Sequence, residues 1–268
     1  MEHWEIAKMW YGRGVVKYNL LPQFWQREQS VRIRRKHKDG IHWKRNMYMG
    51  TLKGFDYLMK RWGLIDHSTD GFELYSSVGE IHNDDFMSMK RPDDAFFDNH
   101  YYFFDLDGNT LVHAYKDAMK LHDLFAEYGI DHSITFSGRK GFHVRVPRDQ
   151  ITVQDPFWDY NYEIASVIKN LNGIKSMDLV YQQDKVLKAA YTLDFTGDDV
   201  TVVYPMNETE LDRFDLGMVL FDRARYYSIK NRGIPMFKYD RNKKDEFEKV
   251  YCFFDKERSF EEFVSHGG

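Results

Sequence analysis

Residues 101–108 read YYFFDLDG, an apolar run that ends in the aspartates Asp105 and Asp107. Because successive side chains of a β-strand point to opposite faces, a strand through this run places both aspartates on one face, with Phe104 and Leu106 packed behind them. Two carboxylates that converge in this way suit a hard divalent cation. The stretch therefore predicts a strand over residues 101–106 with a metal site at its carboxyl end.

Residues 133–146 read SITFSGRKGFHVRV and predict a hairpin. Strands over 133–136 and 142–146 would flank a tight turn that contains two glycines. The turn and the second strand offer free N–H groups, a hydroxyl, two cations and an imidazole, which suit phosphates. These groups come from Ser137, Arg139, Lys140 and His143. Side-chain alternation points His143 away from Val144, and folding the hairpin back brings Ser137 near His143.

The pattern around these stretches alternates between helix and strand. A helical period joins the apolar residues Leu111, Tyr115, Ala118 and Phe125. Gly129 should close this helix, and Asp155 with Pro156 should open another that ends near residue 172. Further strands are expected at residue 178, at 185–190 and at 200–204. The order strand, helix, two hairpin strands, helix, strand is that of an RRM-like (split βαβ) sheet with helices on one face, in an α+β fold.

The chain has 268 residues, of which 43% are hydrophobic, so it can bury a sizeable core. We expect an N-terminal mixed α/β unit over residues 1–95, with a helix near 54–62. The RRM-like catalytic unit would span 96–205, and a mainly helical C-terminal segment would span 206–268. No linker rich in proline or glycine separates these regions.

Composition excludes several classes of protein. The single cysteine, Cys252, rules out an intramolecular disulfide and any multi-cysteine zinc site. The sequence has no apolar run long enough to cross a membrane, and its N-terminus lacks the features of a signal peptide. We therefore expect an intracellular, cytoplasmic protein without a membrane partner.

The net charge of −4 argues against nucleic-acid binding over the whole surface, but residues 27–46 are locally basic. This segment interleaves cations with aromatic rings, a mixture that follows a phosphate backbone and stacks bases. The DNA-binding candidates are Arg34, Arg35, Trp43 and Lys44. A solvated charged face is the alternative interpretation.

The FDLDG motif also resembles the first motif of haloacid-dehalogenase-type phosphatases, in which the first aspartate is the nucleophile. Asp198 and Asp199 would then form the last acidic motif. Asn109 displaces the threonine that normally follows the glycine, and about a hundred residues precede a motif that usually opens the chain. This interpretation also leaves residues 137–143 without a role.

Taken together, the motifs resemble the catalytic subunit of archaeo-eukaryotic primases, the primase-polymerase superfamily, in its smaller viral or plasmid form without a zinc site. The resemblance lies in FFDLD at 103–107, FSGRKGFHV at 136–144 and MDLV at 177–180, with weaker support from WQRE at 25–28, KRN at 44–46 and LYSSVG at 74–79. Family members continue with an arginine-bearing strand and a histidine-bearing loop, where this chain has Lys188 and Asp194. Lysine replaces arginine only as a point charge, and Asp194 stands where the family's histidine would contact the triphosphate.

The resemblance implies a DNA primase or polymerase that adds nucleotides on a single-stranded DNA template by two-metal nucleotidyl transfer. The metal and catalytic residues would be Asp105, Asp107 and Asp178, with Mg²⁺ or Mn²⁺ and no zinc. The nucleotide, NTP or dNTP, would be bound by Ser137, Arg139, Lys140, His143, Lys188 and Arg45. A separate helicase or accessory primase subunit is the expected protein partner. A degenerate primase fold that only binds nucleic acid is a further alternative, and His113, His122 and His132 are expected to be surface or helix residues.

Overall fold

The computed structural model describes residues 1–25, 27–35, 41–47, 52–61, 69–81, 85, 97–98, 100–152, 160–179, 185–224, 233–240 and 243–252. The chain divides into two compact units. The first comprises Met1–His100, Thr135–Arg139 and Gln182–Pro235, and the second comprises Tyr101–Ile134, Lys140–Tyr181 and Met236–Gly268.

The helices, in chain order, are α1 (His3–Tyr11), α2 (Gly14–Leu20), α3 (Leu52–Arg61), α4 (Leu111–Tyr128), α5 (Tyr160–Asn172), α6 (Glu208–Asp212), α7 (Leu216–Val219), α8 (Phe221–Ala224) and α9 (Lys244–Phe247). Short 3₁₀ turns cover Leu21–Phe24 and Arg148–Gln150, and a π-helical turn covers Glu248–Cys252.

The strands are β1 (Gln29–Arg35), β2 (Ile41–Met47), β3 (Thr69–Ser77), β4 (Glu80–Ile81), β5 (Phe97–Asp98), β6 (Tyr101–Asp107), β7 (Ser133–Phe136), β8 (Gly141–Pro147), β9 (Met177–Asp178), β10 (Val186–Lys188), β11 (Leu193–Asp194), β12 (Thr201–Val202) and β13 (Tyr204–Met206).

The first unit is built on a four-stranded antiparallel sheet with the order β10-β3-β1-β2. Val31 and Ile33 of β1 and Phe72 and Leu74 of β3 alternate along their strands, so they share one face, and all four belong to the buried core. Helix α1 packs on β3 and contributes the buried residues Trp10 and Tyr11 to the same core. The intervening polar residues of β1 and β3 are left on the opposite face.

Tyr11 ties this core to the chain that follows β10. Its hydroxyl group lies 2.9 Å from the Phe72 carbonyl and 2.7 Å from Thr192 Oγ1, and the Leu193 N–H donates to it. The Trp10 indole N–H donates to the Tyr191 carbonyl. Burial raises the pKa of Tyr11 well above its ordinary value, so the hydroxyl stays neutral and serves as a structural hydrogen-bonding group.

In the second unit, β6 lies between β8 and β9 and is antiparallel to both. Helix α4 packs its apolar stripe on this sheet, with the Phe104 and Phe125 rings 5.6 Å apart. Helix α5 is fastened to β6 by Asn161, whose side chain bonds both the N–H and the carbonyl of Phe103. The carboxyl end of β6 is therefore fixed by its pairing with β8 on one side and β9 on the other.

The predicted order of elements in this region is confirmed. The strand expected at 101–106 is β6, the helix expected to close at Gly129 is α4, and the expected hairpin strands are β7 and β8. Gly129 adopts φ 68° and its N–H bonds the last turn of α4, as a left-handed C-cap requires. The cap proposed at Asp155 and Pro156 lies outside the described residues.

The other predicted elements are also present. The helix expected near 54–62 is α3, and the strand expected to carry Asp178 is β9. Residues 185–190 contain β10, whereas residues 200–204 contain β12 and the start of β13. Together, these elements confirm the α+β class.

No helix in the described part of the chain is both long and apolar enough to cross a membrane.

Candidate active site

The carboxyl end of β6 gathers most of the residues predicted for metal binding. Asp105 lies opposite His143 on β8 and opposite Asp178 on β9, while Asp107 lies opposite Gly141. Residues directly opposite each other in an antiparallel pair project from the same face, with Cβ atoms about 4.5–5.5 Å apart. The strand register therefore brings Asp105, Asp178 and His143 side by side across three neighbouring strands.

The two aspartates of β6 differ in their surroundings. Asp105 is 18% exposed, and its Oδ1 lies 3.8 Å from Nε2 of His143, which is itself buried. Asp107 is 57% exposed, and its Oδ1 lies 3.5 Å from Nζ of Lys140. Asp105 is thus an inner carboxylate beside an imidazole, and Asp107 is an outer carboxylate beside a partly exposed lysine.

The donor set fits a cation that shares its coordination with substrate. In the described residues, no group of three or more His, Cys, Asp or Glu side chains is arranged to hold a metal ion by itself. Mg²⁺ usually keeps several waters and takes one or two carboxylates together with substrate phosphates. Asp105 and Asp107 share a face and reach solvent, so they meet that requirement, with Asp178 as a neighbouring third carboxylate.

The nucleotide loop predicted at 137–140 begins in the first unit, where Gly138 fixes its shape. Gly138 has φ 107°, and a Cβ added there would come within 2.7 Å of the Asp194 Cβ. The Thr201 hydroxyl donates a hydrogen bond to the Gly138 carbonyl. Ser137 is half-buried and Arg139 is exposed. The loop therefore has an anchored centre and an outward arginine, while Lys140 and His143 belong to the second unit.

Lys188, predicted as a triphosphate contact, is already neutralised within the first unit. Its side chain is 14% exposed, its Nζ contacts Asp194 Oδ2 directly, and Glu73 Oε2 lies 3.7 Å away. Burial alone would raise the pKa of Asp194, but the charge of Lys188 and hydrogen bonds from Lys188 and Thr196 hold it below the ordinary value. The role of Lys188 toward a nucleotide remains a prediction.

The charged cluster extends across β3 and β1 through residues that sequence reasoning missed. Glu73 accepts hydrogen bonds from the Tyr75 hydroxyl at 2.8 Å and from the Phe195 N–H at 3.1 Å, and it pairs with Arg32 at 3.4 Å. Burial, followed by the charge of Glu73, raises the pKa of Tyr75. A glutamate between Phe72 and Leu74 was the available signal, because a charge in a buried strand calls for a partner.

Trp43 remains a candidate stacking platform at the edge of this cluster. It is 48% exposed. Its ring lies 4.7 Å from that of Tyr75, and the guanidinium carbon of Arg32 lies 5.9 Å from its centroid. An exposed indole backed by an aromatic ring and a cation can stack a base.

The other basic candidates sit on the paired strands β1 and β2. The backbones of Arg34, Arg35, Lys44 and Arg45 belong to these strands, but their side chains lie outside the described part of the structure. Residues 36–40, which carry further positive charge, also lie outside it. The predicted template path over these residues stays a prediction.

His122 and His132 were expected to be surface or helix residues. The prediction was wrong for His132, which is buried outside any helix, whereas His122 is a buried residue of α4. Both are buried, and His122 Nδ1 lies 3.0 Å from His132 Nε2. The His132 ring stacks on Phe237 and Tyr239, at 5.0 Å and 5.8 Å between centroids. Burial lowers the pKa of His132 to about 3. The stacking partners lie about a hundred residues further along the chain, so local pattern could not reveal them, whereas His113 is exposed as expected.

No protein-family model and no curated protein sequence matches this chain. Among solved structures, the polymerase domain from Mycobacterium tuberculosis ligase D, determined in complex with DNA, is similar with a TM-score of 0.51. That likeness covers 82% of this chain and 88% of the polymerase domain, at 16% identity. The primase RepB' is similar with a TM-score of 0.39 and 10% identity over 72% of this chain and 56% of the primase. The chain shares the α+β fold of the polymerase domain, and the predicted fold class is confirmed.

Proposed function

We propose that this chain is a DNA primase or polymerase, a template-directed nucleotidyltransferase that extends a strand on single-stranded DNA. The observation that carries the proposal is the carboxyl end of β6, where Asp105 and Asp107 share a face and His143 and Asp178 stand in register on the two flanking strands. The fold shared with a polymerase domain that was solved with DNA supports this assignment.

The residues at β6 divide the work of nucleotide addition. Asp105 and Asp107 would hold Mg²⁺ or Mn²⁺, which supplies charge neutralisation at the reacting phosphate and lowers the pKa of the attacking hydroxyl. Asp178 would complete the carboxylate set on the side of the 3′-hydroxyl. His143 lies beside Asp105 and would fix the orientation of that carboxylate.

The cations of the 137–140 loop would bind the triphosphate of an NTP or dNTP. Arg139 is exposed, and Lys140 lies beside the outer carboxylate Asp107. Charge-assisted hydrogen bonds from such groups to phosphate are about twice as strong as neutral ones. Ser137, Arg45 and Lys188 complete the proposed nucleotide contacts, with Lys188 sharing its charge with Asp194.

The template would follow the basic strands β1 and β2, where Trp43 could stack a base. The proposal assigns Arg34, Arg35 and Lys44 to the phosphate backbone. We propose a separate helicase or accessory primase subunit as the protein partner. No zinc is required.

The test is to incubate the protein with single-stranded DNA, labelled nucleotides and Mg²⁺ or Mn²⁺, and to resolve the products by length. We expect template-dependent oligonucleotides. Release of free phosphate from small monoesters without strand extension would instead indicate a haloacid-dehalogenase-type phosphatase. DNA binding without either product would indicate a degenerate fold that only binds nucleic acid.

A further inference from the structure

A cavity of about 480 Å³ opens beside Asp107 in the second unit. Its walls come from the end of β6, the first half of α4 and the turn that joins α5 to β9. The lining residues that carry charge or fix the walls are Asp107, Lys116, Asp117, Lys120, Lys175 and Ser176.

Three lysines and two aspartates line this cavity. Asp117 is buried and stabilises the cavity wall, because its Oδ2 accepts hydrogen bonds from the N–H and the hydroxyl of Ser176, both at 2.8 Å. Lys120 lies 3.5 Å from the other Asp117 oxygen and donates to the Gly173 carbonyl. Lys116 and Lys175 are exposed, and neither forms an ion pair among the described residues. The other lining carboxylate, Asp107, lies 3.5 Å from Lys140. Lys116 and Lys175 are therefore the lining cations that pair with neither aspartate.

Lys120 has structural partners in Asp117 and the Gly173 carbonyl, whereas Lys116 has no ion-pair partner among the described residues. Lys116 and Lys120 are four residues apart on α4, so they lie on the same helix face, where like charges destabilise a helix. Helix formation would be served equally by an uncharged residue at position 116. An anionic ligand beside Lys116 would offset this repulsion.

The cavity walls are held in place by backbone contacts. The Asp107 N–H donates to the Ser176 carbonyl at 2.8 Å, which joins β6 to the turn before β9. A Cβ at Gly108 would come within 2.9 Å of the Ala114 nitrogen and of the Thr110 carbonyl, so the chain passes close against the start of α4. A fixed wall of this kind can bind a ligand without first becoming ordered.

The cavity lies on one defined side of the carboxylates. Lys140, the nucleotide-loop cation, approaches Asp107 from the β8 side of β6. Lys175 and Ser176 immediately precede β9, which carries Asp178 on the opposite side of β6. The two groups of cations therefore flank the carboxylates from opposite sides.

We propose that this cavity is a second phosphate site, which binds the strand that donates the 3′-hydroxyl. This inference rests on the proposed function. Its ligand is a phosphate on the hydroxyl-bearing partner, either a backbone phosphate of a primer or the 5′-triphosphate of an initiating nucleotide. Lys116 and Lys175 are its main contacts, and Lys120 supports them.

The test compares the full-length wild-type protein with the double variant Lys116→Gln, Lys175→Gln. Each protein is titrated against a fluorescent primer annealed to a template, and separately against the unprimed template, without nucleotide so that no turnover is needed. Loss of charge-assisted contacts should weaken primed DNA roughly ten-fold or more and leave unprimed DNA nearly unchanged. Lys249→Gln, at an exposed site elsewhere in the second unit, is the matched control.

Competition by a free nucleoside triphosphate distinguishes the two sources. If the nucleotide displaces the primer from the wild type but not from the double variant, the ligand of the cavity is the 5′-triphosphate. If the nucleotide does not displace the primer from the wild type, the ligand is a backbone phosphate. Equal affinity of the double variant and the wild type for primed DNA would overturn the proposal, as would an equal loss for both DNAs. Because binding is measured without catalysis, a wild type that discriminates primed DNA yet adds no nucleotide would refute the proposed function and leave this site standing.

Discussion

The carboxyl end of β6 and the cluster around Glu73 use the same residue types in opposite ways. Glu73 pairs with Arg32 and Lys188, and Lys188 also pairs with Asp194. Glu73, Lys188 and Asp194 are largely buried. At β6, Asp105 and Asp107 lie on one face, where Asp105 is close to His143 and the more exposed Asp107 is close to Lys140.

The difference shows which charges serve the fold and which are available to a ligand. A buried pair loses stability when one partner is removed, because an uncompensated charge is left behind. A partly exposed carboxylate can be neutralised at little cost to folding, but a bound cation would lose its ligand. The predictions below separate these two behaviours.

The largest expected effect is on cation binding at β6. The double variant Asp105→Asn, Asp107→Asn should abolish Mn²⁺ uptake in the presence of a non-hydrolysable nucleotide, because even changes to groups that merely orient metal ligands weaken binding about 10- to 100-fold. Electron paramagnetic resonance of free Mn²⁺ measures the uptake. Asp123→Asn, at an exposed position on α4, should bind like the wild type. Undiminished uptake by the double variant would place the cation elsewhere.

The next largest effect is a loss of stability in the cluster around Glu73. Asp194→Ala leaves Lys188 without its nearest partner and removes the acceptor for the Thr196 N–H and hydroxyl. Unfolding in urea should show a loss of about 3 kcal/mol, the lower end of the range for broken buried pairs, since Glu73 remains nearby. Asp198→Ala, in an exposed turn, should stay within about 0.5 kcal/mol of the wild type. Equal stability of the two variants would mean that the cluster contributes little to the fold.

A smaller effect concerns the buried histidine pair of the second unit. The pKa of His132 is lowered from 6.5 to about 3 in the native state, so the unfolded chain takes up a proton that the native chain does not. Stability should therefore fall as pH drops below about 6.5, by about 1.4 kcal/mol per pH unit from this group, and should not depend on it above that pH. His132→Phe should flatten the slope between pH 6.5 and 5, whereas exposed His113→Phe should not. An unchanged slope in His132→Phe would assign the acid sensitivity to other groups.

The smallest effect tests the basic strands. If Arg34, Arg35 and Lys44 contact the template backbone, each alanine variant should reduce the slope of log affinity for single-stranded DNA against log salt by about 0.7. Lys53→Ala, an exposed lysine on α3, serves as the control and should leave the slope unchanged. If all three variants behave like the control, the segment is a solvated face. Arg45→Ala should instead raise the nucleotide concentration required.

The second unit was the more predictable part of the molecule because its signals are local. The alternation in residues 101–107 and the glycine after α4 place β6 and α4 almost to the residue. The shared face of Asp105 and Asp107 also follows from strand geometry alone.

The sequence could not reveal features that depend on distant strands meeting. Lys188 and Glu73 come together because β10 pairs with β3, with Lys188 opposite Tyr75. No local sequence pattern near Lys188 predicts that pairing. The sequence alone therefore indicated that the charge of Lys188 was free to bind a phosphate. The lysine-lined cavity escaped prediction for the same reason, since Lys116 and Lys175 belong to different elements of the second unit.

The central claim is that the open carboxylates of β6 perform nucleotide addition, and single-nucleotide extension of a primed template measures it most directly. The rate for Asp105→Asn should fall by a factor of roughly 1,000 or more relative to the wild type, since charge stabilisation at the reacting phosphate is usually the largest single contribution to catalysis. Its circular dichroism spectrum should remain that of the wild type. Extension by the folded Asp105→Asn protein at the wild-type rate would contradict the account.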